Sequence, residues 1–326
     1  MCEDKVSLIW VKRPPGTKTC NFGDALSPIV TALVSGKEVV PHRVNDEHCV
    51  CAVGTIGHSI EGLVSENTSV SIWGTGIDVN FDPRKNLPYF KVYRNSRLRA
   101  TMTRGAISEM VLKHNGVDTS GIYGDPAWIM KKVLPIPVKK KYDIGVVLHL
   151  SELEDQFSLS SSPRDEFVRY KVSEGDSVRI ISTVAERSVK GVIAKINEIR
   201  SCKVILSVSL HGVIIAEAFG IPCAHFHFAG RKGIEMSPIF GFNSAQPIDH
   251  RFRDFYSGIA NRNYVLCYRW PRSERLDYSG IAEIVASYWE PIEYDESKMI
   301  ESFPEQGNIS ISQEHLLRLE RQLQEV

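Results

Sequence analysis

Apolar positions along this chain alternate between two rhythms. Short unbroken apolar or period-two runs occur at Val6–Val11, Val50–Val53, Ser69–Trp73, Tyr142–Leu150, Ser177–Val184, Lys203–Leu210 and Cys223–Phe228. Each is bounded by glycine, proline or polar residues, which predicts strands. Between them the spacing becomes helical. Leu26, Ile29, Val30, Leu33 and Val34 form one face of a helix over Ala25–Ser35, which Gly36 ends. Val189, Val192, Ile193, Ile196 and Ile199 form another, Arg104–Asn115 reads as a third, and Val213–Phe219 is a short fourth stopped by Gly220 and Pro222. Gly121–Tyr123 is a short strand before Gly124-Asp125-Pro126. Strands alternating with helices predict parallel sheets covered on both faces, an α/β protein.

The alternation is interrupted once, at Lys131-Lys132-Val133-Leu134-Pro135-Ile136-Pro137-Val138-Lys139-Lys140-Lys141, where two prolines break regular structure and lysines mark a solvated linker. This predicts a first domain over 1–134, a second over 135–300, and a C-terminal segment over 301–326. In that segment Leu316, Leu319 and Leu323 stripe a helix that packs on the body or on a second subunit. Two such domains leave a cleft between the carboxyl ends of their strands, where α/β sheets bind ligands.

Composition narrows the function without naming it. The 326 residues carry 39 Lys+Arg against 39 Asp+Glu, so no general basic field serves nucleic acid, although a local cationic pocket for a small anion remains open. The start lacks the layout of a signal peptide and no apolar run spans a bilayer, so the expected location is cytoplasmic. Seven scattered cysteines fit buried reduced thiols better than a metal site, since Cys49 and Cys51 lack knuckle spacing.

Candidate chemistry gathers at strand ends. Lys203–Phe228 reads as strand, turn, helix and strand, placing the His211-Gly212 turn where a sheet edge meets a helix amino terminus. Free N–H groups there favour an anion, and Gly212 gives a ligand room to approach. Asn21-Phe22-Gly23-Asp24 precedes the first helix, with Asp24 as its N-cap, Pro28 in its first turn, and Asn21 and Asp24 facing a polar ligand. Trp73-Gly74-Thr75-Gly76 follows a strand as a ligand-cradling loop would, but lacks the third glycine of a dinucleotide fingerprint and the lysine of a P-loop. Arg104, in Thr103-Arg104-Gly105, opens a helix where a cation is unfavourable unless it serves a ligand. Arg231 and Lys232 follow the Cys223–Phe228 strand and are candidates to clamp a phosphate or carboxylate. His225 and His227 alternate on one strand face, without a carboxylate or cysteine at supporting metal spacing.

In order along the chain, Asn-Phe-Gly-Asp, Trp-Gly-Thr-Gly, Thr-Arg-Gly, Gly-Asp-Pro-Ala and Ser-Leu-His-Gly followed by Phe-Gly-Ile-Pro resemble the polysaccharide pyruvyl transferase family. Phe252-Arg253-Asp254-Phe255-Tyr256 looks like a stretch of its exopolysaccharide branch. The resemblance implies two Rossmann-like domains facing each other across a cleft, the glycosyltransferase-B-like arrangement. It implies transfer of the three-carbon unit of phosphoenolpyruvate, the co-substrate, onto two hydroxyls of a sugar, with no metal or other cofactor. The product is a pyruvate ketal, and phosphate leaves. Carried over, His211 is the catalytic acid, and Arg104, Ser209, Leu210 and Gly212 hold the donor together with Arg231 or Lys232. The family's lysine stretch is replaced here by Phe228-Ala229-Gly230-Arg231-Lys232. Asn21, Gly23, Asp24, Gly74, Thr75, Gly76, Asp125 and His149 line the acceptor side. Partners implied are phosphoenolpyruvate and a saccharide acceptor, free or lipid-linked; the lipid-linked case places the protein at the inner face of a membrane. The competing readings are a nucleotide-sugar glycosyltransferase of the same architecture, for which Glu217 would have to reach a ribose, and a non-catalytic member in a polysaccharide assembly complex.

Overall fold

A computed structural model of the protein describes residues 5–78, 97–240 and 248–305. In chain order the elements are β1 (Lys5–Ile9), β2 (Thr19–Asn21), α1 (Phe22–Ser35), β3 (Glu38–Pro41), β4 (His48–Cys51), β5 (Ser69–Trp73), β6 (Leu98–Met102), α2 (Ala106–His114), β7 (Asp118–Thr119) and α3 (Met130–Val133). Then follow β8 (Tyr142–Val147), β9 (Val178–Ile181), β10 (Val184–Glu186), α4 (Val189–Arg200), β11 (Cys202–Ser207), α5 (Leu210–Ala218) and β12 (Cys223–His227). The chain closes with β13 (Gly233–Pro238), α6 (His250–Ile259), β14 (Tyr264–Arg269), α7 (Ile281–Tyr288) and α8 (Ser297–Glu301).

Two six-stranded sheets result, ordered β3-β1-β4-β5-β6-β7 and β13-β14-β12-β11-β8-β9. The first is parallel throughout, and in the second only β13 runs antiparallel, against β14. In each, the first strand lies inside the sheet and the chain winds outward on both sides of it, which opens a crevice at that strand's carboxyl end. Strand alternation divides the apolar residues among three layers. Cys49 and Cys51 face α2 on the outside of the first sheet, while Val50 and Ala52 face inward. Leu206 faces α7 outside the second sheet, while Ile205 faces inward. The inner cluster is shared: side chains of α1, from the first half, pack with those of α4, α5 and α6 from the second.

The halves are also laced through the backbone. β2 pairs antiparallel with β10, and Phe22 N–H donates to the Thr183 carbonyl at 3.0 Å. The lysine-rich segment that starts in α3 is mostly exposed, as expected of a solvated linker, and is tied down at a few points. Lys131 and Lys132 pair with Glu296 at 2.9 and 3.2 Å, and Lys140 Nζ donates to the carbonyls of Arg200 and Cys202 at 3.0 and 2.6 Å. Near the chain's end Trp73 is covered by residues from the α8 region. Its indole N–H donates to the Met299 carbonyl at 2.9 Å, and the Phe303 ring meets it edge-on at 4.9 Å. The helix expected on the Leu316, Leu319 and Leu323 stripe lies outside the described residues.

Three local expectations are corrected. Gly121–Tyr123 is not a strand, because the edge position is taken by β7 and only a Thr103–Tyr123 bridge remains. Ser177–Val184 splits into β9 and β10, which belong to different sheets. Helix α1 begins three residues earlier than its apolar period indicates. Asn21, in extended backbone, accepts a hydrogen bond from Gly23 N–H at 3.1 Å and is the N-cap. Pro28 therefore lies inside the helix, where it has no N–H to offer the Asp24 carbonyl. Asp24 is freed from capping.

Candidate active site

Helix α5 begins at Leu210, so His211 stands in its first turn and not in a turn before it. The N-cap residue, Ser209, makes no side-chain capping bond, and its carbonyl instead accepts from Ser207 Oγ at 2.6 Å. The first N–H groups of α5 thus have no side-chain oxygen, the condition under which a helix end favours an anion. Gly212 is needed for packing: a Cβ there would lie 2.3 Å from Ser207 Oγ, so α5 sits on β11 only without one. Leu210 is in the core.

His211 is enclosed from the other half of the chain. A Cβ on Gly23 would meet its Nδ1 at 2.2 Å, and the Phe22 ring stands edge-on at 6.4 Å. On its far side, Nε2 lies 3.9 Å from Asp125 Oδ2, and neither atom has a hydrogen-bond partner although both are buried. Asp125 is fixed through its other oxygen, which accepts from Ala127 N–H at 3.0 Å as the cap of a short turn at Pro126. Burial pulls the His211 pKa down to about 3, reinforced by the charges of Arg104 and Arg251, so its imidazole is neutral near pH 7. Burial pushes Asp125 up to about 6, against its Ala127 hydrogen bond and Arg104.

Because the folded pKa of Asp125 exceeds its unfolded value of ~3.9, the native state holds the proton more tightly. Stability is therefore lost as pH rises from about 4 to about 6. Asp125→Asn keeps the acceptor for Ala127 and removes the buried charge. In urea titrations it is expected to be about 3 kcal/mol more stable than the natural protein at pH 8, with the gain almost gone near pH 4.

Arg104 is wholly buried, but it is held by protein. Its Nε donates to Asp254 Oδ2 at 3.0 Å, Nη2 lies 2.9 Å from the same oxygen, and Nη1 donates to Thr55 Oγ1 at 2.5 Å. Asp254 comes from α6, so this ion pair ties the two halves together. The helices approach closely enough that a Cβ on Gly105 would lie 1.6 Å from the Asp254 carbonyl oxygen. The Trp-Gly-Thr-Gly loop cradles Arg104 itself: a Cβ on Gly76 would overlap its guanidinium at 2.2 Å. Gly74, at φ +84°, lies under the Pro126 ring, and buried Thr75 bonds the Ala52 carbonyl.

Arg231 and Lys232 are not brought to His211. Both are exposed, and Lys232 pairs with Glu274 over the Trp270 ring. Sequence reasoning missed another cation, Arg251, which lies within electrostatic reach of His211. Arg251, in the first turn of α6, acts electrostatically on His149, His211 and His225, and on Asp24 of α1. Asp249 caps α6 and forks onto Arg251, which keeps Asp249 well below the ordinary carboxylate range. The signal for it was Asp249-His250-Arg251, a charged triplet ahead of the apolar Phe252, Phe255, Tyr256 and Ile259.

His149, at the carboxyl end of β8, caps the turn over Leu150–Glu152 with Nδ1 accepting from Ser151 N–H at 3.2 Å. His225 and His227 are buried, with Nδ1 within hydrogen-bonding distance of the Ser207 and Ala229 carbonyls. No group of three metal-ligating side chains occurs among the described residues. Glu217 is enclosed by Tyr256, Arg262 and Trp289, which all donate to it, so it is not presented to a ribose.

The profile of the polysaccharide pyruvyl transferase family matches residues 63–226, half of the chain, and that stretch carries Arg104, Asp125 and His211. The chain belongs to the polysaccharide pyruvyl transferase family. A stretch of 208 residues is also 26% identical to an uncharacterized protein of Acanthamoeba polyphaga mimivirus. That match covers 61% of this chain and 59% of the viral protein's length. No solved structure matches. Among the described residues no helix of this pyruvyl transferase family member is long and apolar enough to cross a membrane.

Proposed function

We propose that this protein moves the pyruvyl unit of phosphoenolpyruvate onto two hydroxyls of a sugar in a saccharide acceptor, forming a cyclic ketal and releasing phosphate. The observation that carries the reading is the buried His211–Asp125 pair, with Nε2 and Oδ2 unpartnered at 3.9 Å beside an α5 amino terminus that lacks a side-chain cap. We read residues 1–134 and 135–300 as two Rossmann-like units, glycosyltransferase-B-like, whose strand ends meet at this pair. No metal or further cofactor enters the proposal.

The chemistry follows from the neutral state of His211. A buried neutral imidazole takes the proton from the first acceptor hydroxyl as a general base and delivers it to the donor's methylene carbon, which becomes a methyl group. The central carbon, left electron-deficient, bonds to the hydroxyl oxygen. The second hydroxyl then attacks that carbon, its C–O bond to phosphate breaks, and the second proton leaves with phosphate. Arg251 and the first turn of α5 supply the positive field for the donor's anionic groups, with Arg104 behind them. Asp125 faces the nitrogen that would carry the proton and steadies the imidazolium for as long as it lasts.

Phosphoenolpyruvate is expected to stabilise the protein by about 2.7 kcal/mol at a hundredfold excess over its Kd, read as a rise in melting temperature, whereas sugar nucleotides leave it unchanged. A rise with sugar nucleotides alone would replace pyruvyl transfer by glycosyl transfer.

A further inference from the structure

Among the described residues is a cavity that the donor chemistry does not use. It measures about 40 Å³ and lies beyond the carboxyl end of β1. Three segments line it: Trp10–Arg13 after β1, the start of α1 with Asn21 and Asp24, and Arg187 after β10. It therefore belongs to both halves of the chain. Only the first turn of α1 separates it from His211, which Gly23 touches.

Its charge is unbalanced. Lys12, Arg13 and Arg187 converge on it, and the contacts they make are with neutral groups. Arg13 Nη2 donates to the Gln156 carbonyl at 2.9 Å, with its guanidinium 4.5 Å from the Phe157 ring centre. Arg187 Nη1 reaches the Thr17 carbonyl at 3.4 Å, and Lys12 Nζ stands 5.2 Å over the Trp10 ring. The one acid in the wall, Asp24, forms no ion pair with any of the three; burial raises it to about 6 against the pull of Arg13. Arg187 and burial also make protonated Lys12 harder to hold. Three cations facing a single acid that is not paired with them leave a net positive charge, and an entering anion relieves their mutual repulsion.

Size limits what the anion is. At ~10–15 Å³ per water by the same kind of measure, the cavity holds about three waters. That suits a carboxylate or phosphoryl group and is too small for a sugar ring. We propose that the cavity is the subsite for an acid group on the acceptor, so that the enzyme selects an anionic saccharide bearing a carboxylate or a phosphate. This rests on the acceptor reading above. The ring of that saccharide lies outside the cavity, along Asn21 and Asp24 toward His211.

The test uses the full chain, with glucuronate, glucose 6-phosphate and neutral glucose as probes in thermal-shift titrations. At least one charged sugar is expected to raise the melting temperature by about 2–4 °C at concentrations where glucose does nothing, the larger response naming carboxylate or phosphate. Arg13→Gln with Arg187→Gln is expected to weaken that response at least tenfold. Should that pair fail to fold, Lys12→Gln on the exposed Lys12 is expected to weaken it severalfold. No response to either charged sugar, an equal response to glucose, or a response that survives the substitutions overturns the proposal. The glucuronate or phosphate response is expected to persist in His211→Gln, and that of phosphoenolpyruvate in the Arg13/Arg187 variant. Failure of the subsite is thus distinguishable from failure of the transfer reading.

Discussion

Replacing His211 by Gln is expected to lower phosphate release from phosphoenolpyruvate plus acceptor by about 10²–10⁴-fold with the fold intact. The fold should survive because His211 Nε2 makes no hydrogen bond and the ring's main contacts are with Phe22 and Gly23. A companion readout separates catalysis from structure. The folded pKa of His211, about 3, lies below the unfolded value of ~6.5. As pH falls through about 6.5 the unfolded chain takes up a proton that the native state refuses, so this residue destabilises the fold progressively down to about pH 3. His211→Gln should therefore tolerate acid better while losing turnover, as measured by urea melts at pH 4 and 7 beside a phosphate-release assay. Undiminished turnover in the variant would remove His211 from the mechanism.

The second large effect concerns the ion pair between the halves. Asp254→Ala is expected to destabilise the protein by about 3–5 kcal/mol. Asp254 is completely buried and accepts from Arg104 Nε, from Ser108 N–H at 2.9 Å and from Ser108 Oγ at 2.7 Å. Without it the Arg104 charge stays buried and loses its counter-ion. Removing both charges, with Arg104→Met and Asp254→Leu, should recover much of the loss, because two apolar side chains leave no charge to desolvate. Phosphoenolpyruvate binding should stay weak in that double variant if Arg104 contributes to the donor's field. Denaturant midpoints and donor titrations on the same samples report the two effects separately. A single variant as stable as the natural protein would show that the pair is not a latch.

Much of the arrangement was legible in the chain. The apolar periods located α1, α4, β5, β8 and β11 within a few residues, because buried strands and half-buried helices constrain residue type at every turn. Periodicity fails at ends. Asn21 and Asp24 both suit a helix start; the sequence pattern gives the cap to Asp24 and turns both toward a ligand, whereas in the structure Asn21 is the cap and both residues line one cavity. The choice depends on where β2 pairs with β10, a contact between residues more than 160 positions apart.

The candidate site divides the same way. His211 at a sheet edge follows from Lys203–Phe228 alone, since a buried strand running into a short apolar helix leaves little choice of geometry. The residues around His211 do not follow from it. Asp125 faces Nε2, Gly23 lies against Nδ1, and Arg251 comes within electrostatic reach while Arg231 and Lys232 stay exposed, all through packing of distant segments. The glycines of Trp-Gly-Thr-Gly and Thr-Arg-Gly read as parts of ligand loops, and the structure shows close packing at each: Gly74 against Pro126, Gly76 against Arg104 and Gly105 against α6. By itself the sequence determined that this is an α/β chain with a histidine at a strand end and an arginine at a helix start. The tertiary structure alone decided that Arg104 is held by Asp254 and that His211 is neutral. Charge state and partner both depend on desolvation and on distances across the fold, and neither quantity is written into a local pattern.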